Sequence, residues 1–285
     1  MSRVLIIGSH APVSREVGDS LCAGDLPIEY SAGNADALKR LRIRAFGVVI
    51  TSADSAIDES LVLLEEMRSI RPGLKCIVLA DHSTPDKVIA ALRARVFACF
   101  TPPFDSHEIA NLARQAASDS KIGEDIEIIS ARPGWVSVRV NSRLITADRL
   151  LTFAKELSTQ LPEDAKQDLL QALREILVNA MEHGTAFNPD QSIEVTAIRT
   201  ARAMVFRVRD PGAGFRQESL SHSAFANASE DPTAHIAQRQ EDGMRAGGYG
   251  LLLAKGTVDE LIYNEIGNEA ILIKYLDSPA EANTK

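Results

Sequence analysis

The first 120 residues of the chain alternate short apolar runs with amphipathic helical patterns. The apolar runs lie at 3–8, 27–31, 46–51, 75–80 and 96–100, and the run at 27–31 is the weakest. A helical pattern follows each run, at 11–24, 34–43, 57–70, 85–94 and 105–118. Continuous apolar strands are typical of a parallel sheet, because helices cover both of its faces. Five such units predict a flavodoxin-like, doubly wound α/β domain.

The polar stretch "SDSKIGED" at 118–125 interrupts this pattern, and a different one follows it. Apolar and polar residues now alternate with period two in hairpin-like pairs of strands, among them 192–200 with 203–210. Two helices are predicted at 146–161 and 163–183. This arrangement predicts an α+β domain with its helices on one face of a mixed sheet. We therefore predict domains at 1–120 and 121–277 and a flexible tail at 278–285.

Composition excludes several classes of protein. The net charge of −8 argues against a nucleic-acid partner, whose phosphates require Lys and Arg. No apolar run approaches the ~18 residues that a membrane-spanning helix needs, so no membrane partner is expected. Cys22, Cys76 and Cys99 have no metal-ligand spacing and stand in apolar stretches. We interpret them as reduced core residues of a cytoplasmic protein.

One predicted helix carries a row of polar residues beside its apolar stripe. In "QALREILVNAMEHG" (171–184), Glu175, Asn179 and His183 follow one another at intervals of four and so share one face. The row borders the apolar stripe and lies near the edge of the core, where a ligand can reach it. The alternative is a solvated helix face with an internal hydrogen bond.

A second polar feature is the acid at the end of the strand in "RVRDPGAGF" (207–215). Asp210 continues the phase of the inward-facing Phe206 and Val208, and burying a carboxylate is costly unless a donor meets it. An exocyclic amine such as that of adenine would satisfy it. Gly212 and Gly214 allow the backbone to turn tightly beside a ligand. The alternative is an ordinary acidic strand end with a glycine-rich turn.

A third feature is the glycine cluster in "RAGGYGLLLAK" (245–255), which precedes an apolar helix start. Free N–H groups at a helix N-terminus beside glycines form an anion site. No GxxxxGK[ST] motif and no GxGxxG after a strand is present, so these other nucleotide-binding motifs are absent.

Together, the three stretches resemble the ATP-binding domain of the GHKL superfamily, which includes gyrase-type ATPases and histidine kinases. The resemblance covers about 125–276. "EILVNAMEHG" is similar to the N box of that superfamily, "DPGAGF" to its first glycine box and "GGYGLLL" to its second. The cofactors that this resemblance implies are ATP and Mg²⁺.

The resemblance also implies roles for particular residues. Glu175 would be the general base and Asn179 the Mg²⁺ ligand, while His183 would either help to position the metal shell or close the helix end. Asp210 would bind the adenine amine, and Gly212 and Gly214 would shape the adenine pocket. The segment 216–247 would form an ATP lid. The residues implied at the phosphates are Arg245, Gly248, Gly250 and Leu251.

Within the superfamily, the domain is similar to the anti-sigma-factor serine/threonine kinases of bacterial partner switching. Histidine kinases place a phosphoacceptor His before the N box, whereas 120–160 contains no His. Gyrase-type ATPases continue into a transducer domain that these residues do not include. The partners implied are a sigma factor or other regulator and an anti-anti-sigma-like antagonist that is phosphorylated. The alternatives are a non-catalytic ATP- or ADP-sensing module that sequesters a protein, and a histidine-kinase remnant.

The 1–120 domain resembles a response-regulator receiver whose phosphorylation chemistry is missing. A receiver needs an acid pair after its first strand and an acceptor Asp at the end of its third, and here Gly8-Ser9-His10 and Thr51-Ser52 occupy those places. Pro102 stands where a Lys is needed. Without paired carboxylates no Mg²⁺ site forms, and without a carboxylate nucleophile no acyl phosphate forms. We expect a pseudo-receiver that serves as an interaction or dimerisation module, with a homodimer as one assembly.

Overall fold

The computed structural model describes residues 3–8, 11–22, 26–118, 125–214 and 250–276. The chain forms two compact units. The first comprises Met1–Ile128 and Asp148–Leu157, and the second Ile129–Ala147 and Ser158–Lys285. The predicted ATP lid and the predicted tail lie outside the described residues. Among the helices within those ranges, none has both the length and the apolar character required to cross a bilayer.

The first unit contains a five-stranded parallel sheet. Its strands are β1 (Val4–Ile7), β2 (Ile28–Ser31), β3 (Val48–Ile50), β4 (Lys75–Leu79) and β5 (Ala98–Phe100). The strand order β2-β1-β3-β4-β5 is that of flavodoxin and of receiver domains, which confirms the predicted fold. Four strands are fully buried, whereas β2 is the partly exposed edge strand, which explains its weaker apolar run.

Five helices alternate with these strands, as the helical patterns predicted. They are α1 (Pro12–Cys22), α2 (Asn34–Ile43), α3 (Ile57–Ile70), α4 (Pro85–Arg93) and α5 (Ser106–Ser118). Cys76 and Cys99 are buried, and burial raises the pKa of the Cys76 thiol to about 12. The prediction that Cys22 belongs to the core is wrong. It is the last residue of α1 and lies off the buried stripe of that helix.

A sixth helix, α6 (Leu144–Leu157), contributes its residues 148–157 to the first unit. Arg149 forms a buried ion pair with Asp125, and its Nε donates a hydrogen bond to the Phe97 carbonyl at 2.9 Å. The Arg149 guanidinium also lies 4.2 Å from the centre of the Phe97 ring. These buried polar contacts hold this part of α6 against Phe97, the residue before β5, because a charge removed from water requires close partners.

A six-stranded sheet lies in the second unit, except for the first three residues of its first strand, which belong to the first unit. Its strands are β6 (Ile126–Arg132), β7 (Trp135–Asn141), β8 (Ser192–Arg199), β9 (Ala203–Arg209), β10 (Glu260–Tyr263) and β11 (Glu269–Tyr275). The strand order is β10-β11-β9-β8-β7-β6. The sheet is antiparallel rather than mixed: β7–β8, β8–β9, β9–β11 and β10–β11 all pair antiparallel. Short turns join β8 to β9 and β10 to β11, as an antiparallel pair allows.

Two further helices belong to the second unit, α7 (Glu163–Asn179) and α8 (Gly250–Thr257). The buried stripe of α7 includes Leu169, Leu173 and Ile176, as its periodicity predicted. The α-helix ends at Asn179, earlier than predicted, and continues as a π-helical turn, Ala180–Gly184. The Met181 carbonyl accepts hydrogen bonds from the Phe187 N–H at 2.7 Å and the Thr185 hydroxyl at 2.8 Å, and these contacts close the wider turn.

Candidate functional site

The polar row on α7 lies at the boundary between core and surface. Glu175 and Asn179 are half-buried, while His183 is exposed in the π-helical turn. Because α7 packs against β9 and β11 with its apolar stripe buried, the row is held in a defined orientation along one side of the helix.

Glu175 lies against the first residue of α8. A Cβ atom on Gly250 would be 2.4 Å from the Glu175 Oε2 atom, so glycine is the residue that leaves room for this carboxylate. The first N–H groups of a helix lack intrahelical acceptors and carry partial positive charge, which favours a carboxylate beside them. The structure therefore brings together two of the predicted site residues that are 75 positions apart in the chain. Leu251, the next residue of α8, is half-buried.

A second contact joins the end of the π-helical turn to the end of β9. A Cβ atom on Gly184 would lie 2.2 Å from the Asp210 Oδ1 atom, and one on Gly212 would lie 2.7 Å from both Asp210 Oδ1 and the Gly184 Cα. The Gly212 N–H donates a hydrogen bond to Asp210 Oδ1 at 2.8 Å. Two glycines and one carboxylate thus form a close-packed corner.

Burial makes ionisation of the Asp210 carboxyl group less favourable. Removal from water raises the pKa of Asp210, while the Gly212 N–H and the nearby His183 act in the opposite direction. A carboxylate has about four acceptor positions, and the hydrogen bond from Gly212 uses one of them. The half-buried Asp210 can therefore accept a further donor from a ligand, which fits an exocyclic amine.

Gly184 was not identified as a site residue from the sequence, which indicated only that the helix ends there. Its backbone does not adopt the left-handed conformation. Glycine is required instead by the space that Asp210 occupies. The sequence feature that could have identified Gly184 is its position directly after the polar row of Glu175, Asn179 and His183.

Gly214 lies apart from this corner, against the turn between β10 and β11. Its φ of 75° is in the left-handed region, and a Cβ atom there would be 2.1 Å from the Ile266 carbonyl oxygen. Arg245 and Gly248 lie outside the described residues.

The described part of the chain contains no group of three or more His, Cys, Asp or Glu side chains that could hold a metal. Mg²⁺ in phosphoryl-transfer sites is typically bound by one or two protein oxygens together with substrate phosphates and water. The amide oxygen of Asn179, one turn beyond Glu175, therefore fits as a protein ligand that acts with a nucleotide.

The carboxyl edge of the first sheet presents hydroxyls at the positions where a receiver requires acids. The buried Thr51 hydroxyl donates to the Leu79 carbonyl at 3.2 Å and accepts the Leu79 N–H at 3.0 Å. Ser52 lies so close to Gly8 that a Cβ there would be 2.7 Å from its Oγ. Asp54 and Asp81, the nearest acids in sequence, are both exposed, and Asp81 pairs with His82.

A carboxylate that the sequence did not predict does reach this edge. Glu156 of α6 is 1 % exposed and accepts hydrogen bonds from the Thr101 N–H at 3.2 Å and the Thr101 hydroxyl at 2.9 Å. The Ser83 hydroxyl donates a hydrogen bond to the other carboxylate oxygen of Glu156. The loops after β4 and β5 are therefore both bound to one acid.

Comparison with known proteins identifies the second domain. Residues 140–274 match the family described as "Histidine kinase-like ATPase domain". That range contains every predicted site residue from Glu175 to Leu251. No match was found among curated proteins.

The structure is also similar to solved receivers. A CheY-like receiver domain protein from Methanospirillum hungatei JF-1 is 17% identical with a TM-score of 0.38, and the match covers 42% of this chain and 97% of that chain. A response regulator from Thermotoga maritima is 17% identical with a TM-score of 0.37, covering 42% and 100%. The CheY4 protein of Vibrio cholerae is 16% identical with a TM-score of 0.36, covering 41% and 98%.

The chain therefore carries an N-terminal domain with the strand order of a receiver and a C-terminal histidine kinase-like ATPase domain. The ATPase domain supports ATP binding and an activity of the kinase or ATPase type.

Proposed function

We propose that the chain is a Mg-ATP-dependent serine/threonine protein kinase of the anti-sigma-factor type, acting in a cytoplasmic partner-switching pathway. The observation that carries this proposal is the contact between Glu175 and Gly250. It places a carboxylate at the start of a helix, where the N–H groups attract phosphate oxygens. A base beside a phosphate site is the arrangement that phosphoryl transfer to a hydroxyl needs.

In this proposal the adenine end of ATP lies at the Gly184–Asp210–Gly212 corner. Asp210 accepts a hydrogen bond from the exocyclic amine, and the absence of side chains on Gly184 and Gly212 leaves the carboxylate in place. Glu175 and Gly184 are nine residues apart, along the end of α7 and the π-helical turn. At the α-helical rise of about 1.5 Å per residue this span is at most about 14 Å. That length suits a nucleotide that extends from its base to its γ-phosphate.

At the phosphate end, Glu175 takes the proton from a Ser or Thr hydroxyl of the partner protein. The hydroxyl oxygen forms a bond to the γ-phosphorus, the bond from that phosphorus to the β–γ bridging oxygen breaks, and ADP leaves. Mg²⁺ bound at the Asn179 amide oxygen would neutralise charge on the phosphates. The partner that accepts the phosphoryl group is an anti-anti-sigma-like antagonist, and a sigma factor or other regulator is the bound client.

A non-catalytic ATP- or ADP-sensing module is the second candidate. It is favoured by the first unit, where Thr51 and Ser52 stand at the acceptor position of a receiver and the Thr51 hydroxyl is already bonded to Leu79. In this alternative the nucleotide changes the affinity for a protein client, and no phosphoryl transfer occurs.

The first test is calorimetric titration of the full chain with ATP, in the presence of Mg²⁺ and of a chelator. Wild type should bind ATP more weakly without Mg²⁺, and Asp210→Asn should bind at least tenfold more weakly, because the adenine amine loses a charged acceptor. Asp190→Asn, at an exposed loop position, is the matched control. Absence of ATP binding to the wild type would overturn both candidates.

The second test is transfer of label from γ-³²P-ATP to proteins that co-purify with the full chain. Glu175→Gln should reduce transfer by roughly 10²-fold or more while ATP affinity stays within a few-fold. Glu163→Gln, an exposed acid at the start of the same helix, should transfer at the wild-type rate. ATP binding without any Glu175-dependent transfer would favour the sensing module over the kinase.

A further inference from the structure

The turn between β10 and β11 is organised by one side chain. The Asn264 Oδ1 atom accepts hydrogen bonds from the backbone N–H groups of Gly267 at 2.8 Å, Asn268 at 3.1 Å and Glu269 at 3.2 Å. Its Nδ2 donates to the Asn268 Oδ1 atom at 2.8 Å. Because the Asn268 oxygen is engaged in that bond, the Asn268 NH₂ group must point away from Asn264.

That NH₂ group reaches a different segment of the chain. The Asn268 Nδ2 atom donates to the Asp210 carbonyl at 3.3 Å and to the Gly212 carbonyl at 3.2 Å. The Asp210 N–H in turn donates to the Asn268 carbonyl at 3.0 Å. Both main-chain polar groups of Asp210 are therefore bonded to one residue, 58 positions later in the sequence.

These bonds extend the pairing of β9 with β11 by one position, partly through a side chain. Glu269 pairs with Arg209 in the β9–β11 ladder, so Asn268 lies opposite Asp210 at the next position. There the chain leaves β9 through Pro211 and Gly212, and the Asn268 side chain supplies the donor that a regular strand pair would otherwise provide. Gly214 packs against Ile266 on the other side of the turn.

We propose that Asn268, held in place by Asn264, is a positioning residue for adenine recognition: it fixes the Asp210–Gly214 loop so that the Asp210 carboxylate meets the adenine amine. The inference rests on the proposed nucleotide site. A purely structural role in the hairpin accounts for the bonds of Asn264 within the turn. It does not account for the two bonds that the Asn268 amide makes to the loop of Asp210.

The test compares two ligands by calorimetry on the full chain. ATP and purine riboside triphosphate differ in the exocyclic amine, so the ratio of their affinities reports on Asp210. Asn268→Ala should bind ATP roughly fivefold to tenfold more weakly, because hydrogen bonds that orient the loop are lost. Affinity for purine riboside triphosphate should change less than twofold, so the ratio falls.

Asn264→Ala should lower the same ratio, although the hydrogen bonds of the Asn264 side chain stay within the turn. The double variant should be no weaker than Asn268→Ala. Asn188→Ala is the matched control, because Asn188 caps an exposed turn through the Asp190 N–H. It should keep the wild-type ratio. Asn264→Ala also serves as the independent variant if Asn268→Ala does not fold.

The possible outcomes distinguish the proposed nucleotide site from the positioning role of Asn268. A wild-type protein that binds neither nucleotide overturns the proposed function and this role with it. A wild-type protein that prefers ATP, with an unchanged ratio in Asn268→Ala and Asn264→Ala, overturns the positioning role alone. An equal loss of affinity for both ligands in the variants also overturns it, since that result indicates general damage to the site.

Discussion

The Oδ1 atom of Asp210 lies 2.2 Å from the position that a Cβ atom on residue 184 would occupy. The Asp210 carboxylate thus occupies the space that a side chain on residue 184 would need. The end of the helix that carries Glu175 and the end of the strand that carries Asp210 depend on each other for their positions.

Gly184→Ala should therefore disturb the site. The new methyl group would also meet the Asp210 Cβ at 2.6 Å, so a change of side-chain rotamer does not relieve the clash. Overpacking of this kind costs about 1–3 kcal/mol. We expect ATP affinity to fall at least tenfold and the melting temperature to fall, measured by calorimetric titration and by thermal unfolding.

Gly256→Ala is the control for this change. Gly256 is in α8, and a Cβ atom there meets nothing within 4 Å. This variant should match or slightly exceed wild-type stability, because alanine favours a helix over glycine by up to about 1 kcal/mol. Equal ATP affinities for Gly184→Ala and Gly256→Ala would show that the corner does not contribute to nucleotide binding.

Gly250→Ala should impair catalysis more than folding. The added Cβ would be 2.4 Å from the Glu175 Oε2 atom but 3.8 Å from the Glu175 Cβ, so the flexible end of the side chain can move aside. The base is then displaced from the start of α8. We expect phosphoryl transfer to fall about tenfold or more with a nearly unchanged melting temperature, measured by initial rates and thermal unfolding. A rate equal to that of Gly256→Ala would contradict this role.

Asp210→Asn should stabilise the nucleotide-free protein at neutral pH. Burial raises the pKa of Asp210 above its ordinary value of 3.8, so the ionised form is less favourable in the folded than in the unfolded chain. This penalty is present at pH values above the raised pKa and disappears as pH falls through it towards 3.8. Asparagine retains an acceptor for the Gly212 N–H and carries no charge.

The measurement is the difference in melting temperature between Asp210→Asn and wild type at several pH values. It should be positive at pH 7 to 8 and shrink as the solution is acidified. A difference that is negative at neutral pH would mean that the carboxylate is stabilised by contacts stronger than its burial penalty. The same variant should have lost ATP affinity, so stability and binding would change in opposite directions.

Arg149→Met should strongly destabilise the first unit. The ion pair with Asp125 is buried, with side chains 2% and 4% exposed, and removal of one partner leaves a buried charge without its counterion. Such changes typically cost about 3–5 kcal/mol. Arg139→Met is the control, because its pair with Glu194 is exposed and should contribute less than about 1 kcal/mol. Urea denaturation measures both, and similar midpoints for the two variants would contradict the prediction.

Local patterns were sufficient for most of the architecture. Continuous apolar runs predicted the buried parallel strands, because a strand covered on both faces has apolar side chains on both. Period-two alternation predicted β9, where Phe206 and Val208 are buried and Arg209 is exposed. These predictions succeeded because each depends on neighbours within a few residues.

The prediction of a mixed second sheet failed because it depended on distant partners: which strands meet decides whether a sheet is mixed or antiparallel. The predicted end of α7 failed for a local reason. The Thr185 hydroxyl and the Phe187 N–H bind the Met181 carbonyl and close a π-helical turn, which apolar periodicity does not distinguish from an α-helical one. The contacts of Glu156 with Thr101 and Ser83 gave no signal in the sequence, since a glutamate in an amphipathic helix is ordinarily exposed.

The sequence by itself determined that Glu175, Asn179 and His183 share one helix face, because residues four apart stack at the helical period. It also determined that Asp210 ends a strand in the inward phase. Only the tertiary structure decided that Glu175 meets Gly250 and that Gly184 meets Asp210. It also decided that Asn268 binds the loop that begins at Asp210. The reason is physical: periodicity specifies the direction of a side chain on its own element. The few ångströms between two elements follow from how their apolar faces pack.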